Sequence, residues 1–404
     1  MPISTGVAKQ VRYKKEVTWG VAPGATGAQL LRRVTSDLDL KKETYESQEI
    51  RSDYQISDFR HGVRKVDGGI NGELSPGTNK DFIAAALRQA FQTAATSGAL
   101  TNVTAAATAP HFVRAAGSWI TNGFKVGDVV RFTGWTAPAD PNNTKNFLIF
   151  ALTATDMSVV SLDGSAVVAK ASGDSVTVTV AGKKTWVPQS GHTDESFAIE
   201  HWYSDIAQSE LFLGCKLDSM DIQLPPTGLS RLDMKFMGKD VTPATSAYYT
   251  SPTAETTSGV LAAVNGKLYI AGSAVTVVTG LTINLKANMK MEPVVGSNTY
   301  PEIFEGRVMV DGQFTAFFEN ATFRDYFLNE SEISLIFAAT TSNAANADFM
   351  AFVLPRLKVG GASKDDGEKG LVQTLPFKAL VNGAGGAGTN SEKTTISIQD
   401  STVT

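Results

Sequence analysis

The chain has 404 residues, enough for two or three cores, with 36 basic against 40 acidic side chains and a pI near 5.7. That balance argues against a protein that grips nucleic acid through its backbone, which needs clustered Lys and Arg. A lone cysteine, Cys215, leaves no internal disulfide framework and no cysteine zinc cluster, and reads as a small core residue.

Residues 1–28 carry Lys9, Arg12, Lys14 and Lys15 and then the Gly- and Pro-bearing WGVAPGATGA, which reads as an arm and a loop outside the core. Charges stand where a signal peptide would need its apolar stretch, and no apolar run approaches a membrane span. The expectation is a chain made and used in a cytoplasm, or exported without a cleaved signal. Strand character begins near Leu30 and runs through 37–40, where Leu38 and Leu40 share a face.

The stretch 62–82 then recurs at 306–326, offset by 244 without a gap. Gly62/Gly306, Val66/Val310, Asp67/Asp311, Gly68/Gly312, Thr78/Thr322 and Asp81/Asp325 are identical pairs. In both copies alternate residues form a strand face, Val66, Ile70 and Leu74 in one and Val310, Phe314 and Phe318 in the other. These predict core positions, whereas Asp67, Asn71, Glu73, Asp311, Gln313 and Thr315 face solvent or a neighbour. Each strand runs into Thr-x-x-Asp, a helix-capping pattern, with a long helix expected through Phe91 in the first copy and a short one in the second. The strand 281–285 corresponds to 37–40. The polar intervals that follow, from Leu40 to Gly62 and from Leu285 to Gly306, read as equivalent long loops suited to contact with a neighbour.

After the second helix, strands are expected at 333–337, 349–359 and 371–381. Their counterparts, 197–203, 211–224 and 229–237, begin only after about a hundred further residues. Those extra residues contain short strand signals at 126–132, 147–152, 157–162 and 176–180, the pattern of a small all-β module spliced into a surface connection. The parse is a mainly β (α+β) chain. Residues 1–94 plus 191–250 form a first unit, 95–190 an inserted all-β decoration domain, and 251–404 a second unit. Replacing 96–190 by a short linker is expected to leave assembly intact. The stretch TSPTAETTSG near 250–259 has linker composition.

No catalytic, cofactor-binding or metal-binding residue emerges. His61, His111, His192 and His201 lack metal-ligand spacing, and neither a nucleophile elbow nor a phosphate loop occurs. Residues 383–388 spell G-x-G-x-x-G, but a strand at 394–398 follows instead of a helix, so the stretch reads as a flexible loop. Lys364 to Lys369 reads as a solvated hairpin tip without calcium-loop spacing.

With the duplication established, the chain resembles the tail tube proteins of bacteriophages with long, non-contractile tails. The resemblance rests on V-D-G-G-I-N-G-E-L-S-P-G at 66–77, P-V-V-G-S-N at 293–298, the run 360–373, the Gly-rich stretch at 383–388 and G-F-K-V-G-D at 123–128. It implies a β-sandwich with a flanking helix, polymerised as stacked rings around a DNA-conducting lumen, in a virion protein assembled in the host cytoplasm. It also implies no enzymatic activity and no cofactor, with tape measure and terminator or baseplate proteins as partners. Common members carry one unit and form hexameric rings. Two units per chain imply trimeric rings with pseudo-sixfold symmetry. The alternative reading is a tandem β-domain adhesin or tail-fibre-like binding protein.

Overall fold

A computed structural model describes residues 3–136 and 140–404. Twelve strands build the two units. The first unit contains β1 (Lys9–Lys15), β2 (Asp39–Glu46), β3 (Phe59–Glu73), β4 (Phe197–Tyr203), β5 (Gln208–Leu224) and β6 (Arg231–Gly238). The second contains β7 (Gly266–Ile270), β8 (Val278–Lys286), β9 (Met309–Phe317), β10 (Ile333–Thr340), β11 (Phe349–Val359) and β12 (Val372–Ala379). Helices α1 (Lys80–Ala86) and α2 (Thr322–Leu328) follow β3 and β9. The fold is mainly β.

The two units pair their strands in the same way. Antiparallel neighbours run β1–β4–β5–β6–β3–β2 in the first and β7–β10–β11–β12–β9–β8 in the second. Leu40 stands opposite Val66, and Leu285 opposite Val310. Even the irregularities match. β4 against β5 slips between Phe197 and Ile199, and β10 against β11 slips between Ile333 and Leu335. An extra residue that bends one strand against its partner is a built feature, so a bulge at one site in both units argues for a common origin more strongly than six identities do.

Polar and apolar alternation decides the layers. Ile70, Met234, Met220, Ile222, Ile283, Phe314 and Leu375 point into one continuous core that spans both units. Phe318, expected there, lies beyond the end of β9 and is half-buried, with the Lys364 ammonium 3.6 Å from its ring centre. Ala316 takes the inward place instead.

Other expectations are corrected. Residues 9–15 are not an arm: β1 pairs along its whole length with β4, and Val11 and Tyr13 are core residues on either side of Arg12, which is itself buried and reaches Glu200 at 3.5 Å. The polar interval after Leu40 is largely hairpin, because β2 continues to Glu46 and β3 begins at Phe59. Both helices have seven residues and neither has a side-chain cap; the Thr78 hydroxyl bonds Ser75 and Thr256 instead. The first helix stops early because Arg88 adopts φ 55° and the chain turns back. The expected 394–398 strand is displaced to Ser397–Asp400.

The described residues between 96 and 180 form a separate seven-stranded sheet with its own core around Trp119, Phe112, Phe132 and Phe147. Val129, Leu148 and Leu162 on its flank pack against Tyr269, Ile336, Ala338, Phe349 and Ala351 of the second unit. Since Leu335 and Phe337 face the main core, Ile336 and Ala338 are the opposite face of β10.

Candidate functional site

The most organised surface is one antiparallel sheet that crosses the boundary between the units. The end of β5, 219–224, is flanked by β6 on one side and by β8 on the other. The order β2–β3–β6–β5–β8–β9–β12–β11 is therefore a continuous eight-stranded half-barrel, four strands from each unit. Alternation buries one face in the core and leaves the other polar.

Cross-strand register arranges that polar face in rows. One row reads Gly69, Lys235, Ser219, Lys286, Met309. The next reads Asn71, Asp233, Asp221, Asn284, Asp311, Lys378. A third continues Glu73, Arg231, Gln223, Thr282, Gln313. Lysines thus border the row of carboxylates. Although burial works against it, hydrogen bonds from Asn284 and Lys286 hold the Asp311 carboxyl below its ordinary range. Burial pushes Asp221 up, and the charges of Lys235 and Lys286 only partly offset this. The face is striped with both signs of charge.

The half-barrel ends in two free edges. Among the described residues β2 pairs only with β3, and it is exposed along nearly all its length. At the other end, Ser363–Lys364 pairs with β12 and its outer side is exposed.

The two equivalent hairpin loops behave differently. In the second unit, 287–306 folds back over the first. The Arg64 amide donates to the Asn298 carbonyl at 2.9 Å, and Arg88 meets Glu305 at 3.3 Å and donates to the Gly306 carbonyl at 2.9 Å. Lys216, buried, reaches Asp194 at 2.6 Å and Glu302 at 3.4 Å. The first unit's loop, 47–58, projects with Ile50 and Tyr54 fully exposed.

The glycine-rich stretch 383–388 has a structural task rather than the free mobility expected of it. Lys125 donates from Nζ to the carbonyls of Gly386 and Thr389, at 2.7 and 2.5 Å, and the Val126 amide bonds the Asn390 carbonyl at 2.8 Å. Beside it, Lys184 lies between Asp128 (2.9 Å) and Glu392 (2.8 Å); burial opposes its charge, and the two carboxylates keep it protonated. Gln399 accepts from the Val129 amide and donates to the carbonyls of Val129 and Ala181. These contacts clamp the seven-stranded sheet onto the second unit.

Among the described residues no group of three or more His, Cys, Asp and Glu is placed to hold a metal. His201 is buried with Nε2 2.8 Å from the Ser36 hydroxyl, and His192 is exposed. Cys215 is buried, which pushes its thiol up and away from the reactive range. Among the described residues no helix is long and apolar enough to cross a membrane.

Residues 6–379 match the family described as phage tail tube protein. The chain belongs to the phage tail tube protein family. A search of curated proteins gives no match. Family membership makes this tail tube chain a structural component of a virion. For such a protein the informative features are sheet edges and loops rather than a pocket. Sequence reading located the alternating strands but missed the joint between β5 and β8; the signal was the regular alternation of Leu281, Ile283 and Leu285, which matches Met220, Ile222 and Leu224 across the joint.

Proposed function

We propose that this tail tube chain closes, three at a time, into a ring whose inner wall is a continuous β-barrel, and that stacked rings conduct DNA through a long, non-contractile tail. The carrying observation is the half-barrel with four strands from each unit and one free edge at each end. Three such sheets supply twenty-four strands. At about 4.8 Å spacing and a tilt of roughly 40° they close a barrel about 50 Å across at the backbone, wide enough for duplex DNA with side chains in place.

The polar face suits passage rather than capture. Each neutralised phosphate would hold DNA back. Here Lys235 and Lys286 stand next to Asp233, Asp221 and Asp311, so the wall presents no uninterrupted cationic stripe. No step needs catalysis, and we assign the chain no enzymatic role.

We divide the chain into a first unit (1–94 plus 191–250), an inserted domain (95–190) and a second unit (251–404). The inserted domain lies on the face of β10 and β11 away from the core, the outside of the proposed tube. Assembly in the host cytoplasm, with tape measure, terminator and baseplate proteins at the tube ends, completes the reading. Electron cryo-microscopy of assembled tubes tests it: density for the Asp221, Asp233 and Asp311 row should line the channel. A tube wall with that row on its outer surface would contradict the proposal.

A further inference from the structure

Resting on the ring reading above, we propose that the junction inside the chain is the pattern for the junction between chains. The β2 edge of one chain pairs with the 361–365 edge of a second chain, and Ile56 and Phe59 of its hairpin pack over that chain's α2.

Equivalent edges of the two units are paired in one place and exposed in the other. β8 is the counterpart of β2, and within the chain it pairs with the end of β5. The counterpart of that segment is the continuation of β11. Leu217 opposite Phe236 is followed, after a one-residue slip, by Asp221 opposite Asp233. Val359 opposite Phe377 is followed, after the same slip, by Ser363 opposite Thr374. So Ser363 stands where Asp221 stands. Likewise Asp39 opposite Asp67 stands where Asn284 stands opposite Asp311. Because Asp221 faces Asn284, Ser363 of one chain faces Asp39 of the next.

The hairpins repeat this asymmetry. Lys290–Met291 pairs with Ile303–Phe304 in the register that sets Tyr45–Glu46 against Phe59–Arg60. With the 244 offset, Tyr300 corresponds to Ile56 and Ile303 to Phe59. Tyr300 is 6% and Ile303 1% exposed, against 67% for Ile56 and 49% for Phe59. The receiving surface shows the same contrast. α1, bounded by the Arg88 contacts to 305–306, is largely buried, whereas α2 presents Phe327 and Leu328 to solvent. Lys216, which binds Glu302, has Lys358 as its counterpart, and Asp58 has the place of Glu302. Exposed apolar residues and an acid on one unit, where Asp58 pairs with exposed Arg60, thus meet exposed apolar residues and a lysine on the other, where Lys358 pairs with exposed Glu330. Both are surface ion pairs that can exchange partners. A second copy of this chain satisfies both with contacts the chain already makes once. A heterologous contact of this kind, repeated by rotation, closes a ring.

One pair in the register is unfavourable: Asp37 faces Asp365, and like charges directly opposite oppose pairing. Asp365→Asn is therefore expected to speed tube growth, and a slower rate would count against the register.

The direct test uses disulfides in tails purified from virions. The Ala287 amide bonds the Asp218 carbonyl, so Asp221 and Asn284 form a non-hydrogen-bonded pair, the closer kind and within reach of a disulfide. The same holds for Asp39 and Ser363, both exposed. Native Cys215 is buried and does not compete. In Asp39→Cys/Ser363→Cys tails, oxidation should convert the monomer into a ladder ending at trimer, reversed by reductant. The intrachain control, Asp221→Cys/Asn284→Cys, should close without changing mass. Intact tails in which the control closes but chains stay unlinked would overturn the docking. If the variant does not assemble, hydrogen exchange on wild-type tubes against free chain decides. Protection gained at 37–41, 361–365, 54–59 and α2 supports the docking, and unchanged exchange there overturns it. Rings of three chains lacking the cross-link refute the docking alone; six-chain rings refute the ring reading.

Discussion

His201 shows how one side chain couples stability to pH. Burial, followed by the charges of Lys9 and Arg33, pushes its imidazole down to about 3 from an ordinary 6.5. The native chain keeps the ring neutral while the unfolded chain takes up a proton below about 6.5. Stability linked to this residue is therefore complete above that pH and is lost as pH falls, by about 1.4 kcal/mol per unit, until about 3. His201→Gln should flatten the fall in unfolding midpoint between pH 7 and 4.5; parallel curves for the two proteins would show that another group governs it. The strand alternation makes a second prediction at this scale. Phe314 is fully buried, so Phe314→Ala should cost about 3–5 kcal/mol. Phe318→Ala at the half-buried position should cost clearly less, and Gln313→Ala on the exposed face at most about 0.5 kcal/mol. Chemical unfolding of the three variants checks that order.

Among the elements, the inserted sheet behaves differently from a freely removable decoration. It covers Ile336, Ala338, Phe349 and Ala351, and its clamp includes the buried Lys184, Asp128 and Glu392. Replacing 96–190 by a linker would expose an apolar patch on β10 and β11 and remove a cation from Glu392. The simple excision should aggregate, whereas excision combined with Ile336→Thr and Phe349→Thr should recover soluble chain. Light scattering distinguishes the two, and equal solubility would mean the patch is not what the insert protects. The elements also differ in how legible they were. Strands with one buried face, such as β6 and β12, stood out by alternation. β1 was obscured because its outward residues are Lys and Arg, which read as a solvated arm. The outer half of β2 had no apolar signal at all, since Lys41–Glu46 has no buried face within one chain. The role of 383–388 was invisible because backbone carbonyls, not side chains, hold Lys125 there.

For the whole molecule, the duplication explains why the two halves diverge where they do. Residues facing the shared core are matched in kind, whereas the edges and hairpins differ: one set is buried inside the chain, and the other is exposed and, on the proposed docking, is covered by a neighbour. An exposed strand edge is also a route to uncontrolled aggregation, and charged side chains such as those along β2 are a common restraint on it. Two units per chain fix how many chains a ring of six wedges needs. Averaged end-on images of purified tubes, with mass per unit length, count them directly. Three chains per ring, showing six similar wedges and three outer projections, is the expected result; six chains per ring would contradict it.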